Sequence, residues 1–331
     1  MTTIDRTAYP RSKRALSERD LSVYNLTDEE HELIEQSTTD KETRLNFALL
    51  LKSCQRLAYF PKLSTIPKRI VTHIRQQLQI SPEVVLGYRW KRTRHRHYRI
   101  IRDYLNVRDY KHGGQVLAEE TMRRAVQSMM YPADLINVAI EELVRQSFLL
   151  PAFSSLNRLA MRIRTEVHEN YFQEILAQLQ AEDRVLLDDL LVLNDTNPYS
   201  NFTSLKQITG RLTRINIDLT VARLKSLAPY QHLMAHLSVL PSAKIGMFAA
   251  QAYSLEVGDL LDTKLPQRYT LLLCFLYHVQ TRLRDDLATM LIKHMNQVRK
   301  NAKKDLEEIK QAQMEMREGF IDMFAHVVHL A

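Results

Sequence analysis

The chain has 331 residues, enough for two domains or three small ones. Hydrophobic residues make up 45% and charged residues 25%, while seven Gly and ten Pro are too few for the turns that a sandwich or barrel of short strands needs. Lys and Arg total 46 against 38 Asp and Glu, a formal net charge of +8 that admits a nucleic-acid partner without requiring one.

Leu, Arg, Glu, Gln, Ala and Met are plentiful and favour helices, so the expected class is all-α: a multi-helical array of two helical subdomains followed by long C-terminal helices. Residues 1–16, containing TAYPRSKR, read as a basic arm with no periodicity. Thr27 with Glu30, and Thr39 with Glu42, have the spacing of capping boxes. Behind them Phe47, Leu50, Leu51, Cys54, Leu57 and Ala58 form a helical apolar stripe that Pro61 ends. A helix is expected from about Pro67 to Leu78. Ser81-Pro82 reads as the start of another, and Arg92 to Leu105 as the next. Helices at roughly 116–130, 132–147 and 153–179 follow, the last long enough to bridge two subdomains.

Asn194 to Asn201 is a cluster of turn residues and reads as a linker. Ser204 with Gln207 suggests a further helix start, and Pro229, Pro241 and Gly258 suggest breaks. From Leu265 onward two long helices are expected. In the final one Leu306, Ile309, Gln313, Met316, Phe320, Met323 and Val327 step by three and four, which fits either a heptad seam of about three repeats or an ordinary core stripe.

Cys54 and Cys274 sit in apolar helical runs and read as buried thiols of a reducing compartment. The N-terminus holds no apolar signal core. The apolar run Tyr269 to Val279 is too short to span a bilayer. The expected location is cytoplasmic, in association with the nucleoid.

Charge is strongly localised. Residues 67–102 carry ten cations (Lys68, Arg69, Arg75, Arg89, Lys91, Arg92, Arg94, Arg96, Arg99 and Arg102) and one acid, Glu83. That local +9 exceeds the whole chain's +8, so the remainder is nearly neutral. On a helix Arg92, Arg96 and Arg99 share a stripe, with Ile101, Tyr104 and Leu105 on another side and free to pack inward. A helix with one basic and one apolar face can lie against a duplex while anchored to its domain. Arg forks suit phosphates and the O6/N7 edge of guanine, and Trp90, Tyr88 and Tyr98 can pack beside a backbone. The competing reading is a basic surface that meets an acidic protein or anionic lipid.

His95-Arg-His97 has no matching ligand pair and reads as phosphate contact or packing rather than a metal site. The adjacent acids Asp188-Asp189 and Asp285-Asp286 diverge by about 100° on a helix and do not readily face one metal. No phosphate-binding glycine loop, nucleophile elbow or catalytic Cys/His pair is visible. No cofactor and no small-molecule substrate are expected.

Four segments in order resemble the Tn-three family of replicative transposases. Arg44 to Pro61 resembles its "R-L-x-F-A-L-x-L…F-P" opening, and Ile66 to Leu78 its "I-P…V…Q-L" helix. Tyr88 to Leu105 is similar to "R-T-x-x-x-H-x-x-x-I-R-x-x-L", with Arg92, Thr93, His97, Ile101, Arg102 and Leu105 in place. Leu143 to Leu159 is similar to "I-x-L-P-A-x-S-x-L-x-R-L", with Phe148 where Ile is usual. Leu212 to Leu224 matches a later region loosely. The resemblance implies an N-terminal helical region that binds the element's terminal inverted repeats, a dimerisation region, and a catalytic Asp-Asp-Glu domain with Mg²⁺ that this chain is expected to end before. The opening residues are unlike the usual family start, so the repeat that is read is expected to differ.

The expectation is therefore a non-catalytic DNA-binding portion of a transposase. Its parts are a DNA-binding domain at 1–165, a second helical region with an auxiliary DNA contact at 166–258, and a long-helix dimerisation or linker region at 259–331. Lys68, Arg69, Arg75, Arg89, Lys91 and Arg99 are expected to clamp phosphates beside Trp90. Base reading is expected from some of Arg92, Arg94, His95 and Arg96, and a second contact from Lys206, Arg211 and Arg214. Two rivals remain: a free-standing truncated transposase acting as a repressor, and a helical scaffold for an acidic protein. Partners are thus double-stranded DNA and a possible second copy, and no membrane.

Overall fold

The computed structural model describes residues 4–13, 15–192, 199–208, 210 and 213–329, with side chains described to Phe324. The class is all-α, as expected. Among the described residues the β structure amounts to one isolated bridge, Arg108 with Phe148. The helices are α1 (Glu18–Ser22), α2 (Asp28–Ser37), α3 (Lys41–Leu57), α4 (Lys68–Gln77), α5 (Lys91–Leu105), α6 (Gln115–Ala125), α7 (Pro132–Arg145), α8 (Phe153–Gln178), α9 (Ala181–Asp188), α10 (Asn201–Lys206), α11 (Arg214–Ser226), α12 (Ser242–Ser254), α13 (Val257–Asp262) and α14 (Leu265–His329). The chain divides into two compact units, residues 1–170 and 171–331.

Local chemistry sets most of these boundaries. Thr27 caps α2, with Glu30 returning the bond to the Thr27 N–H at 2.9 Å. At α3 the cap falls one residue later than expected: Asp40 accepts from the Thr43 N–H at 2.8 Å, and the Thr39–Glu42 box does not form. A carboxylate at the cap holds its charge against the helix dipole and so displaces the neighbouring hydroxyl. Helix α3 ends at Ala58, which takes a left-handed φ of 56°. Ser81-Pro82 starts no helix. Residues 81–90 form turns, held by the Arg75 guanidinium, which donates to the Ser81 carbonyl at 2.7 Å and the Val84 carbonyl at 2.5 Å. In place of the Ser204 start, Ser200 caps α10. The stretch read as a linker at 194–201 lies largely outside the described residues.

The first unit has two cores. One gathers α3, buried continuously from Leu45 to Cys54, with Ile34, Ile70, Ile74 and Ile101. The other gathers α6, α7 and the first part of α8 around Met122, Leu135, Leu143, Leu156 and Ile163. The described residues of the segment read as a basic arm, 4–13, 15 and 16, include a packed strap around Tyr9. Tyr9 is buried in the second core, its hydroxyl donates to the Pro151 carbonyl at 2.7 Å, and the Ala8 N–H donates to Asn137 at 2.7 Å. Burying one aromatic ring recruits this otherwise polar segment, overriding its lack of periodicity.

In the second unit the first part of α14, from Tyr269 to Met290, supplies the core, with Phe202, Leu233 and Phe248 packed around it. Leu265 to His329 is one continuous helix, where two were expected. Every described side chain from Leu291 to Phe324 is exposed, including Ile309, Met316, Phe320 and Phe324. The Cys54 and Cys274 thiols are free and buried, and burial pushes Cys54 up to about 12. Among the described residues no helix is long and apolar enough to cross a membrane.

Candidate nucleic-acid interface

Helix α5 begins without a side-chain cap at Trp90 and carries no acid in its first turn. Its N-terminal N–H groups carry a partial positive charge, and Lys91, Arg92 and Arg94 add to it rather than offset it. The opposite face is anchored. Ile101 is fully buried, and His97 sits against the edge of Phe47 at 5.0 Å. The His97 Nδ1 and the Tyr88 hydroxyl are 2.7 Å apart. Burial, with the Arg96 cation second, lowers the His97 imidazole to about 4, so it stays neutral beneath a basic surface. Tyr98 stacks on Phe60 with centroids 4.1 Å apart. Tyr104, expected inward, is exposed, while Leu105 is partly buried.

The outward face borders an open groove of about 1010 Å³. Arg92, His95, Arg96, Arg99 and Arg102 form its basic wall, spaced three or four residues apart except for the adjacent His95 and Arg96. Arg89 and Trp90 close one end, the guanidinium lying 5.5 Å from the exposed indole. Facing them are Thr39, Asp40, Glu42 and Thr43 at the start of α3. The groove therefore has one strongly basic wall and one short acidic one. The Asp40 carboxyl is held below its ordinary range, chiefly by the Thr43 N–H it accepts from, and stays charged.

The structure sorts the expected contact residues into two groups. Arg89, Lys91, Arg92 and Arg99 are exposed and, among the described residues, have no carboxylate within ion-pair distance. His95 is exposed beside them, its ring edge-on to Tyr98. Of the other cations, Arg96, Arg69 and Arg75 are engaged. Arg96 donates to the Ser37 carbonyl at 3.0 Å, closing the C-terminus of α2. Arg94 is half-buried and does not line the groove. Arg69 donates to the Leu16 carbonyl and pairs with Glu18 at 2.7 Å. Lys68 is exposed and with Arg75 borders a different depression, which shares no residue with the groove.

In the second unit Lys206 is largely buried. Its ammonium donates to the Leu255 carbonyl at 2.5 Å and lies 4.5 Å from the Phe202 ring. Arg214 is exposed at the first position of α11, and Arg211 lies outside the described residues.

The basic wall holds one residue beyond the contacts expected from the sequence. Arg102 extends the Arg92–Arg99 stripe by one turn, and its 3-residue step from Arg99 is the signal that marks it. It pairs with Asp109 at 2.6 Å, a partner seven residues on that helical spacing does not announce. Among the described residues no cluster of three His, Cys, Asp or Glu side chains is placed to hold a metal ion. Asp188 is occupied by the Tyr269 hydroxyl at 2.9 Å.

Residues 1–163 match the family described as Domain of unknown function (DUF4158). The matched region takes in both cores of the first unit and the whole basic groove, and it stops within α8. The second unit, including α14, lies beyond it.

Proposed function

We propose that the matched region binds duplex DNA through the outward face of α5. We take the chain as the non-catalytic, end-recognising part of a Tn-three-like transposase. The observation that carries this reading is a run of exposed cations without ion-pair partners, three at the uncapped start of α5 and one, Arg99, about two turns further on. Among the described residues Arg89, Lys91, Arg92 and Arg99 have no carboxylate within ion-pair distance, an arrangement that an incoming line of phosphates relieves. The helix is about 22 Å long, and a major groove admits one helix of that kind. Arg92 and His95 then point to the base edges, while Arg89, Lys91 and Arg99 hold the backbone.

The order of the four resembling segments supports the assignment to transposon ends. An auxiliary contact in the second unit rests on Arg214 and Arg211, since Lys206 is committed to the Leu255 carbonyl.

A second copy of this chain is the proposed occupant of the exposed half of α14. Leu306, Ile309, Gln313, Met316, Phe320 and Met323 continue a heptad seam whose apolar members are more than half exposed. In a parallel pair Asp305 on one helix meets Lys310 on the other, at the flanking positions that set partner and orientation.

The deciding experiment is binding of the full chain to a duplex bearing its element's terminal inverted repeat and to a scrambled duplex, across a salt series. The reading expects at least about a tenfold preference for the repeat. Equal, salt-sensitive affinity for both duplexes would leave a non-specific basic surface. No affinity for either would favour the acidic-protein scaffold.

A further inference from the structure

A second concavity adjoins the basic groove and shares Tyr98, Arg102 and Asp109 with it. It is a cleft of about 810 Å³ between the strap, the segment after α3, and the start of α8. Its chemistry differs from the groove's. Tyr59, Phe60, Tyr98, Tyr110 and Phe153 line it, each partly exposed. Phe60 and Tyr98 already lie parallel, 5° apart in plane and 4.1 Å between centroids. Tyr9 and Tyr59 form a second contact at 5.3 Å. Around the cleft stand Lys62, Lys111 and Arg158, exposed cations with no carboxylate partner among the described residues. Aromatic faces flanked by free cations are the means by which proteins hold an unpaired nucleotide, the base stacking on a ring and its phosphates meeting the ammonium and guanidinium groups.

We infer that this cleft takes a single unstacked nucleobase of a nucleic acid lying in the adjoining groove. The inference rests on the duplex-binding reading and deepens it. The base extends the Phe60–Tyr98 stack, Lys62 and Arg158 hold the flanking phosphates, and Tyr98 and Arg102 form the wall across which the strand passes from groove to cleft. The strand's anionic backbone matches the cleft's uncompensated charge, which an apolar peptide would leave unmatched.

The test uses the full chain and a pair of duplexes that differ by one unpaired 2-aminopurine nucleotide placed in a central bulge. Anisotropy is expected to give about fivefold or tighter binding to the bulged duplex, from the stacking of one base. The 2-aminopurine emission is expected to fall on binding. Phe60→Leu and, on the surface, Lys62→Glu are each expected to remove the gain while leaving affinity for the fully paired duplex within about twofold. Equal affinity for paired and bulged duplexes, or a gain that survives both substitutions, overturns the inference and leaves duplex binding standing. If neither duplex binds, the duplex reading fails. The cleft is then judged on a single-stranded decamer carrying 2-aminopurine: quenching lost in Phe60→Leu upholds it, and no quenching overturns it.

Discussion

The Tyr88 hydroxyl and the His97 Nδ1 meet at 2.7 Å directly beneath the basic face of α5. This contact fastens the turn at 81–90 to the helix, so that Arg89 and Trp90 are presented at the end of the groove. The burial of the same imidazole shifts its titration. The folded imidazole is lowered from an ordinary 6.5 to about 4, by burial first and the Arg96 cation second. As pH falls below about 6.5 the unfolded chain takes up a proton that the folded chain refuses. Stability therefore declines between about 6.5 and 4, by up to ~3 kcal/mol, and is flat with respect to this group above that window. Urea unfolding at pH 7 and pH 4.5 is expected to show a larger loss for the wild type than for His97→Gln. Identical losses in the two proteins would remove His97 as the cause.

Lys91→Ala with Arg99→Ala is expected to weaken duplex binding and to lower the slope of log affinity against log salt by about two, roughly one for each phosphate left without its cation. Arg69→Ala and Arg75→Ala, whose guanidiniums are spent on the Leu16, Ser81 and Val84 carbonyls, are expected to leave that slope unchanged and to lower stability instead. A slope change of equal size in all four would mean that the engaged cations reach phosphate too.

Lys52 and Glu30 form a buried ion pair at 3.1 Å, and Glu30 also accepts from Gln55 and closes the capping box of α2. Lys52→Met leaves the Glu30 carboxylate buried without its cation. It is expected to cost about 3 kcal/mol in denaturant unfolding. A loss below about 1 kcal/mol would show that water reaches Glu30.

Tyr9 is the anchor of the strap, packed between Tyr59 and Phe153 at 5.3 and 5.7 Å. Tyr9→Ala is expected to destabilise the first unit by about 3 kcal/mol and to make residues 4–16 sensitive to limited proteolysis at concentrations where the wild type resists. An unchanged digestion pattern would mean that the hydrogen bond from Ala8 to Asn137 holds the strap without the ring.

Light scattering is expected to give a dimer for the full chain, and a monomer for Ile309→Asp with Phe320→Asp. Both residues are more than half exposed, so the substitutions leave the core of the second unit intact. A wild-type monomer at high micromolar concentration would withdraw the second copy as the partner of α14.

The helical class, the stripe that buries α3, the limits of α5 to within one residue, and the concentration of charge between residues 67 and 102 are all legible in the amino-acid order. These follow from local rules. A 3.6-residue period, a cap and a left-handed terminus are written within a few neighbouring positions. Even there, two helix starts moved because a better cap stood nearby: Asp40 beside Thr39, and Ser200 in place of Ser204.

Which cations stay unengaged depends on long-range packing. Arg96 and Arg92 share one face of the helix, yet Arg96 closes α2 through Ser37, 59 residues away, and Arg92 meets no such carbonyl among the described residues. Arg69 reaches back 53 residues to Leu16. A donor's partner at that distance leaves no trace in local spacing, because it is set by how helices pack rather than by how one helix winds. The same reason hid the strap, whose single buried ring finds its pocket at Pro151. It also hid the aromatic cleft, where residues from 59 to 153 come together only on folding.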